Sequence, residues 1–271
     1  MDNFSNIADW RATLLRVASF RRAILTMDRL GQSASRISIA ETEDLSIRID
    51  GLRMAAPTGC VTLSEAHVEL KPGEHILILG ARGAGKTLFF RAMAGLWPWG
   101  AGHIARPGRQ LIALIPTRAY VPPGVLRDSI VYPRVDHGAD DAAVAEALAA
   151  VGLQSLEPLL GREDRWDRAL SEDEKQRIAF ARVILQRPRW VIIDSALDLV
   201  DPESRKRIEV LFEGFLADVG VMYIGGHASD SGFFTRTLHL VRDPSGPTFK
   251  PADAVRPAKR VRFEPKDIAG C

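Results

Sequence analysis

The chain has 271 residues, of which 46% are hydrophobic and 26% charged, with 36 Lys and Arg against 34 Asp and Glu for a formal charge of +2. That is globular composition, enough for one cored domain with extensions, and so mild a basic excess argues against a nucleic-acid partner. Cys60 and Cys271 are the only cysteines and form no CxxC or Cys/His cluster, which argues against a zinc site or disulfide framework and for a reducing cytosol.

The opening stretch MDNFSNIADWRATLLR is interrupted by charges too often for a signal peptide, and no apolar run approaches the roughly 20 residues of a membrane-crossing helix. Over residues 7–30, Ile7, Trp10, Leu14, Val17, Phe20, Ile24 and Met27 recur at three- and four-residue steps, predicting a helix with one apolar stripe. Arg11, Arg16, Arg21, Arg22 and Arg29 make it basic. Packing on its own domain or a partner helix is preferred to a membrane-surface role. A linker, GQSASR, follows, so residues 1–44 read as an N-terminal helix and linker.

From residue 45 short strand patterns dominate. LSIRID alternates, VTLSEAHVEL holds two strand candidates, and HILILG is a short buried strand leading into a glycine-rich loop and a helix. LIALIP, WVIID, VGVMYIGGH and TLHLV are further strands. DDAAVAEALAAVGL, SEDEKQRIAFARVILQ and PESRKRIEVLFEGFLADV are helical and separate several of them. Such alternation predicts an α/β domain over residues 45–243 with a largely parallel sheet. Residues 244–271 read as a basic, proline-rich tail.

The loop GARGAGKT fits G-x-x-x-x-G-K-[ST] in full and sits between a predicted strand and a helix, the context the motif requires. Gly80, Gly83 and Gly85 let the backbone wrap so that successive N–H groups face a phosphate. The helix behind them adds its positive end. Lys86 would reach the β- and γ-phosphates, Thr87 would offer a hydroxyl to Mg²⁺, and Arg82 could add charge. Ala81, Ala84 and Leu88 complete the set of candidate nucleotide contacts. A plain glycine turn with a solvated lysine is the weaker reading.

LILGARGAGKTLFFRAMAGLWPWGAGHI, YVPPGVLRDSIVYP and SEDEKQRIAFARVILQRPRWVIID together resemble the ATP-binding domain of ABC transporters over roughly residues 45–241. AGLWPWGAGHI and VPPGVLRDSIVYP look most like the bacterial peptide and cobalamin-type half-transporters and their peroxisomal fatty-acyl relatives of the D subfamily. The resemblance implies a P-loop NTPase core of ABC type: a mostly parallel sheet, an antiparallel β subdomain and a helical signature subdomain. It implies ATP and Mg²⁺ as ligands. It also implies a transmembrane domain or subunit and a second nucleotide-binding domain, in a homo- or heterodimer, as partners. Location would be cytoplasmic, peripheral at the inner face of a membrane through that partner. IADWRATLLRVASFRRAI resembles the cytoplasmic extension of the last membrane helix.

Carried over residue by residue, Asp194 matches the Walker B aspartate that helps hold Mg²⁺ through water. Asp201 matches the D-loop aspartate at the dimer interface, and His227 the switch histidine that meets the γ-phosphate. Three positions depart from the pattern. Thr117 stands where the Q-loop glutamine would, with a shorter reach. The signature reads LSEDE, so Ser171 is kept, but Glu172, Asp173 and Glu174 bring three carboxylates to a helix end meant for an anion. They would repel a γ-phosphate unless neutralised. Ser171 and Glu174 also form an S-x-x-E capping box, which preserves the helix whatever its phosphate-reading role.

Ser195 replaces the glutamate that polarises the attacking water, and an unassisted hydroxyl is far too weak a base to stand in for it. No aromatic residue falls between Ile49 and His75, where a stacking platform for adenine would be expected. The expectation is an ATP-binding transporter subunit with weak or absent hydrolysis. An active ATPase using a substitute base or a partner's residues is the first alternative. A non-hydrolysing regulatory or remnant interaction module is the second.

Overall fold

The computed structural model describes residues 10–21, 35–56, 59–133, 140–225 and 232–245. In chain order these form α1 (10–21), β1 (Ser38–Glu41), β2 (Ile47–Ala56), β3 (Gly59–Leu63), β4 (His67–Leu70), β5 (His75–Leu79) and α2 (Lys86–Met93). Next come β6 (Gly100–Arg106), β7 (Ile112–Ile115), β8 (Gly124–Val125), α3 (Leu126–Val131), α4 (Asp141–Ala150), β9 (Glu163–Asp164) and α5 (Trp166–Ala169). The remainder is α6 (Glu172–Gln186), β10 (Trp190–Asp194), α7 (Pro202–Glu213), β11 (Gly220–Gly225) and β12 (Arg236–Asp243).

Strand β10 shows why the sheet is covered on both faces. All five of its residues are buried, and they alternate: Trp190 and Ile192 enter one core, Val191 and Ile193 the other. Strands β12, β5, β11, β10 and β7 run parallel in that spatial order. Continuous apolar runs of this kind are what a parallel sheet with helices on its faces demands. One core joins this sheet to α3, α4 and α6 through residues such as Ile130, Leu148 and Phe180. The other joins it to Phe89, Phe90 and Met93 of α2 and to Ile47, Ile49 and Met54 of β2.

Strand β12 welds two sheets into one. Its first half pairs parallel with β5, and its second half pairs antiparallel with β3, putting Arg242 opposite Val61. The antiparallel part continues through β2 to β6, and β1 pairs with β6 at the edge. So a mostly parallel sheet, an antiparallel sheet and a helical layer are all present, as the resemblance implied. Strand β1 lies ahead of residue 45, in the stretch read as linker, and β6 had no periodic signal of its own. Each is seen only through its pairing.

Helix α1 falls inside the predicted 7–30 helix, and its Trp10, Leu14, Val17 and Phe20 are exposed. Ile7, Ile24 and Met27 lie outside the described residues, as does the tail beyond residue 245. Among the described residues no helix is long and apolar enough to cross a membrane.

Candidate functional site

The glycine-rich loop follows β5, whose end is anchored between neighbouring strands of the sheet. Gly85 is the residue before α2, with φ at +93°, and a Cβ there would lie 2.6 Å from a Val61 methyl. Glycine is therefore required twice over, by backbone sign and by space. No side chain caps α2, and its first turn carries no acid, so the leading N–H groups are left for an outside acceptor. Lys86 Nζ donates to the Gly80 carbonyl at 3.2 Å, folding the side chain back over the loop. Arg242, 159 residues further along, donates to the Gly83 carbonyl at 3.3 Å. Nothing in its local sequence marks Arg242; strand pairing with β3 brings it here.

Asp194 ends β10, only 4% exposed. Burial raises its carboxyl above the ordinary carboxylate range, partly opposed by hydroxyl bonds from Thr87 and Thr117 and by the charges of Lys86 and Arg91. Lys86, Thr87, Thr117 and Asp194 are thus brought together. A carboxylate with two hydroxyls is a hard-oxygen set of the kind Mg²⁺ selects, and the loop ahead of α2 suits a phosphate, so these residues fit the ligands the motif implies. Thr117 lies close enough for its hydroxyl to oppose that rise at Asp194. The main chain at 116–117 is held by Gln176 of α6, whose Nε2 donates to both the Pro116 and Thr117 carbonyls.

Ser195 has φ at +52°, and both its N–H and its hydroxyl donate to the Ile224 carbonyl, at 2.9 and 3.2 Å. Asp198, the next carboxylate along, accepts a 2.5 Å bond from the Tyr223 hydroxyl. Tyr223 is fully buried, and burial, then the bond to Asp198, drives its phenol far above its ordinary value.

Asp201 caps α7 by accepting from the N–H groups of Glu203 and Ser204, both at 3.0 Å. Those bonds, Ser204's first, hold its carboxyl below the ordinary range. At α6 the capping box is formed in full: Ser171 Oγ accepts from Glu174 N–H at 3.2 Å, and Glu174 accepts from Ser171 N–H at 2.8 Å. The three acids are not bare. Glu172 pairs with Lys175 at 2.9 Å, and Asp173 with Arg177 at 2.5 Å. The named partners of Ser171 and Asp173 lie within this stretch, apart from the phosphate-loop cluster. His227 lies outside the described residues.

A family model described as ABC transporter matches residues 63–198, just over half of the chain. The chain belongs to the ABC transporter family. Among curated ABC relatives, an uncharacterised ABC transporter ATP-binding protein of Synechocystis is 30% identical over 236 residues, covering 83% of this chain and 35% of that protein. The human ATP-binding cassette sub-family D member 3 is 34% identical over 168 residues, 58% of this chain and 25% of its own length. The Escherichia coli inner membrane ABC transporter ATP-binding protein YddA is 29% identical, with 82% and 37% covered. This ABC domain therefore spans about a third or less of the length of such relatives. A solved bacterial Atm1-family ABC exporter with ATP bound shares the fold at a TM-score of 0.61 and 20% identity, covering 83% of this chain and 43% of that one.

Proposed function

We propose that this ABC-family chain binds Mg²⁺-ATP and hydrolyses it slowly or not at all, serving as the ATP-binding part of a membrane transporter. Residues 80–88 would hold the nucleotide, with Lys86 and the open first turn of α2 on its phosphates. Thr87 and Asp194 would hold Mg²⁺, which when bound neutralises phosphate charge. Arg242, beside Gly83, adds a positive charge at the loop's rim. Ser171, Asp173 and Asp201 would face a second nucleotide-binding domain, and His227 would take the switch position.

The observation that carries the reading is Ser195. Its hydroxyl donates to the Ile224 carbonyl, and a hydroxyl is far too weak a base to activate an attacking water. A substitute base is the competing idea, and Asp198 is the next carboxylate after Ser195 in sequence. One of its carboxylate oxygens already accepts the Tyr223 hydroxyl. Positioning and charge neutralisation could still support slow turnover.

The partner we infer is a transmembrane domain, with the chain peripheral at a membrane's cytoplasmic face. Supporting this is a cavity of about 540 Å³ beside Thr117, lined by Pro116, Tyr120, Tyr132 and Arg182 among others. Residues 45–243, extended by β1, would be the nucleotide-binding unit, and α1 the link toward the membrane.

The test is Mg²⁺-ATP binding alongside phosphate release, in the native chain, Ser195→Glu and Lys86→Ala. Expected are binding with little turnover in the native protein and a gain of about 10²-fold or more in Ser195→Glu, the size of general-base assistance. Lys86→Ala should lose binding. Brisk native turnover that disappears in Lys86→Ala would overturn the weak-hydrolysis reading.

A further inference from the structure

We propose that Arg242 holds the nucleoside end of the nucleotide, its planar guanidinium serving as the surface on which the base lies. The inference rests on the Mg²⁺-ATP reading above and deepens it by naming what meets the base.

Strand β12 does not stop where β5 stops. His239 pairs with Leu79, the last residue of β5, and residues 240–243 run on past it, paired with β3, as a wall beside the phosphate loop. Leu240 stands opposite Leu63 and Arg242 opposite Val61, so Leu240, Arg242 and Val61 share one face of this ribbon. That face is turned to the loop at three points. A Cβ at Gly80 would lie 3.2 Å from Leu240, and one at Gly85 would lie 2.6 Å from Val61. Arg242 makes the third contact, donating from Nη1 to the Gly83 carbonyl at 3.3 Å. Leu240 and Val61 are buried, whereas Arg242 is exposed at the rim.

Strand order gives this wall its place along a bound nucleotide. Asp194 ends β10, which is separated from β5 by β11, whereas β12 adjoins β5 on its other edge. With Mg²⁺ and the terminal phosphates at Asp194, Thr87 and Lys86, as proposed above, the nucleoside extends the opposite way, toward β12 and β3. No aromatic ring is supplied there by the strands themselves. Phe, Tyr and Trp are absent from residues 50–74, which include β3, and from β12. Trp97 and Trp99, beyond α2, pack edge to face on each other, and the Trp97 indole donates to the Ala55 carbonyl.

An arginine can do the work of a ring at such a position. Its guanidinium is flat, weakly hydrated and stacks on π faces, and nucleobases are received on arginine planes as well as on aromatic ones. The Nη1 bond to Gly83 ties that plane to the edge of the loop. A lysine would keep the charge and a donor but offers no plane.

The competing explanation is that Arg242 only braces the loop or adds charge toward the phosphates. Affinities of the whole chain for Mg²⁺-ATP and for magnesium tripolyphosphate, which has phosphates but no nucleoside, separate the two by calorimetry. The native chain should bind ATP more tightly than tripolyphosphate. In Arg242→Lys, ATP affinity should fall about 10-fold while tripolyphosphate affinity holds. Arg242→Ala should narrow the gap between the two ligands at least as far. Equal losses for both ligands, or a lysine variant that binds ATP as the native chain does, would overturn the proposal. Arg242 is exposed, so neither substitution opens a core, and should one variant not fold the other decides by the same ratio. A native chain that binds tripolyphosphate as tightly as ATP sinks the base contact and leaves the phosphate loop standing. One that binds neither ligand removes the Mg²⁺-ATP reading, and this inference with it.

Discussion

Two helix N-termini in this molecule have opposite fates. Helix α2 starts after a glycine, has no side-chain cap and carries no acid in its first turn, so its leading N–H groups are left for a ligand, with Lys86 folded over the loop beside them. Helix α6 starts at Ser171, closes a complete capping box with Glu174, and adds Glu172 and Asp173. Both ends carry the same positive dipole. One leaves it open to an anion from outside, and the other fills it with the protein's own oxygens. The resemblance would have both ends meet phosphate, and only α2 is built for it within this chain. A helix end is an anion site only when the chain does not satisfy it first.

The largest expected effect comes from spoiling the open end. Gly85→Ala would put a Cβ 2.6 Å from Val61 at a φ of +93°, combining backbone strain with a clash. A loss of nucleotide affinity of about 100-fold follows from about 3 kcal/mol of such strain, measurable by titration with a fluorescent analogue. A variant that still binds normally would mean the loop's shape is not what holds the ligand.

The closed end should respond in a different quantity. Ser171→Ala removes a cap and should cost about 1 kcal/mol of stability in urea unfolding. Affinity for nucleotide at α2 should not change. If affinity fell instead, the two helix ends would be coupled, and the contrast drawn here would be too sharp.

The smallest effect serves as a control at the far end of β5. His75 packs between Phe212 and Phe233, and burial lowers its pKa below the ordinary 6.5, partly opposed by its bond to the Phe233 carbonyl and by Glu213. The unfolded chain therefore takes up the proton first. Stability is complete above pH 6.5 and declines as pH falls through that value toward the lower folded one. Urea midpoints between about pH 8 and pH 5 should show this decline, and His75→Phe should flatten it, with nucleotide affinity at pH 8 unaffected.

Much of this was legible before any coordinates. The phosphate loop is a contiguous motif whose physics is local, and the parallel strands announce themselves as short apolar runs between helices. The Ser171–Glu174 box is likewise a four-residue pattern, and the structure forms both of its bonds. Strands β1 and β6 were not legible, because β1 is a four-residue edge strand and β6 is rich in glycine and alanine, so neither carries a clear period and both form through pairing. Nor was the neutralisation of the signature acids complete on paper. That Lys175 and Arg177 would turn toward Glu172 and Asp173 depends on rotamers that helix spacing permits but does not choose.

The chain's text by itself determined which chemical groups exist: a complete phosphate loop, an aspartate ending a buried strand, and a serine where a stronger base would stand. Only the tertiary structure decided where those groups point. Arg242 reaches Gly83 because β12 pairs with β3, and Gln176 holds residues 116–117 because the start of α6 lies against the loop that follows β7. Ser195 turns its hydroxyl onto Ile224 because β10 and β11 are neighbours. Local motifs are encoded by short-range sterics and survive being read alone. Contacts between distant segments exist only after the sheet has chosen its strand order, so their chemistry cannot be read from spacing.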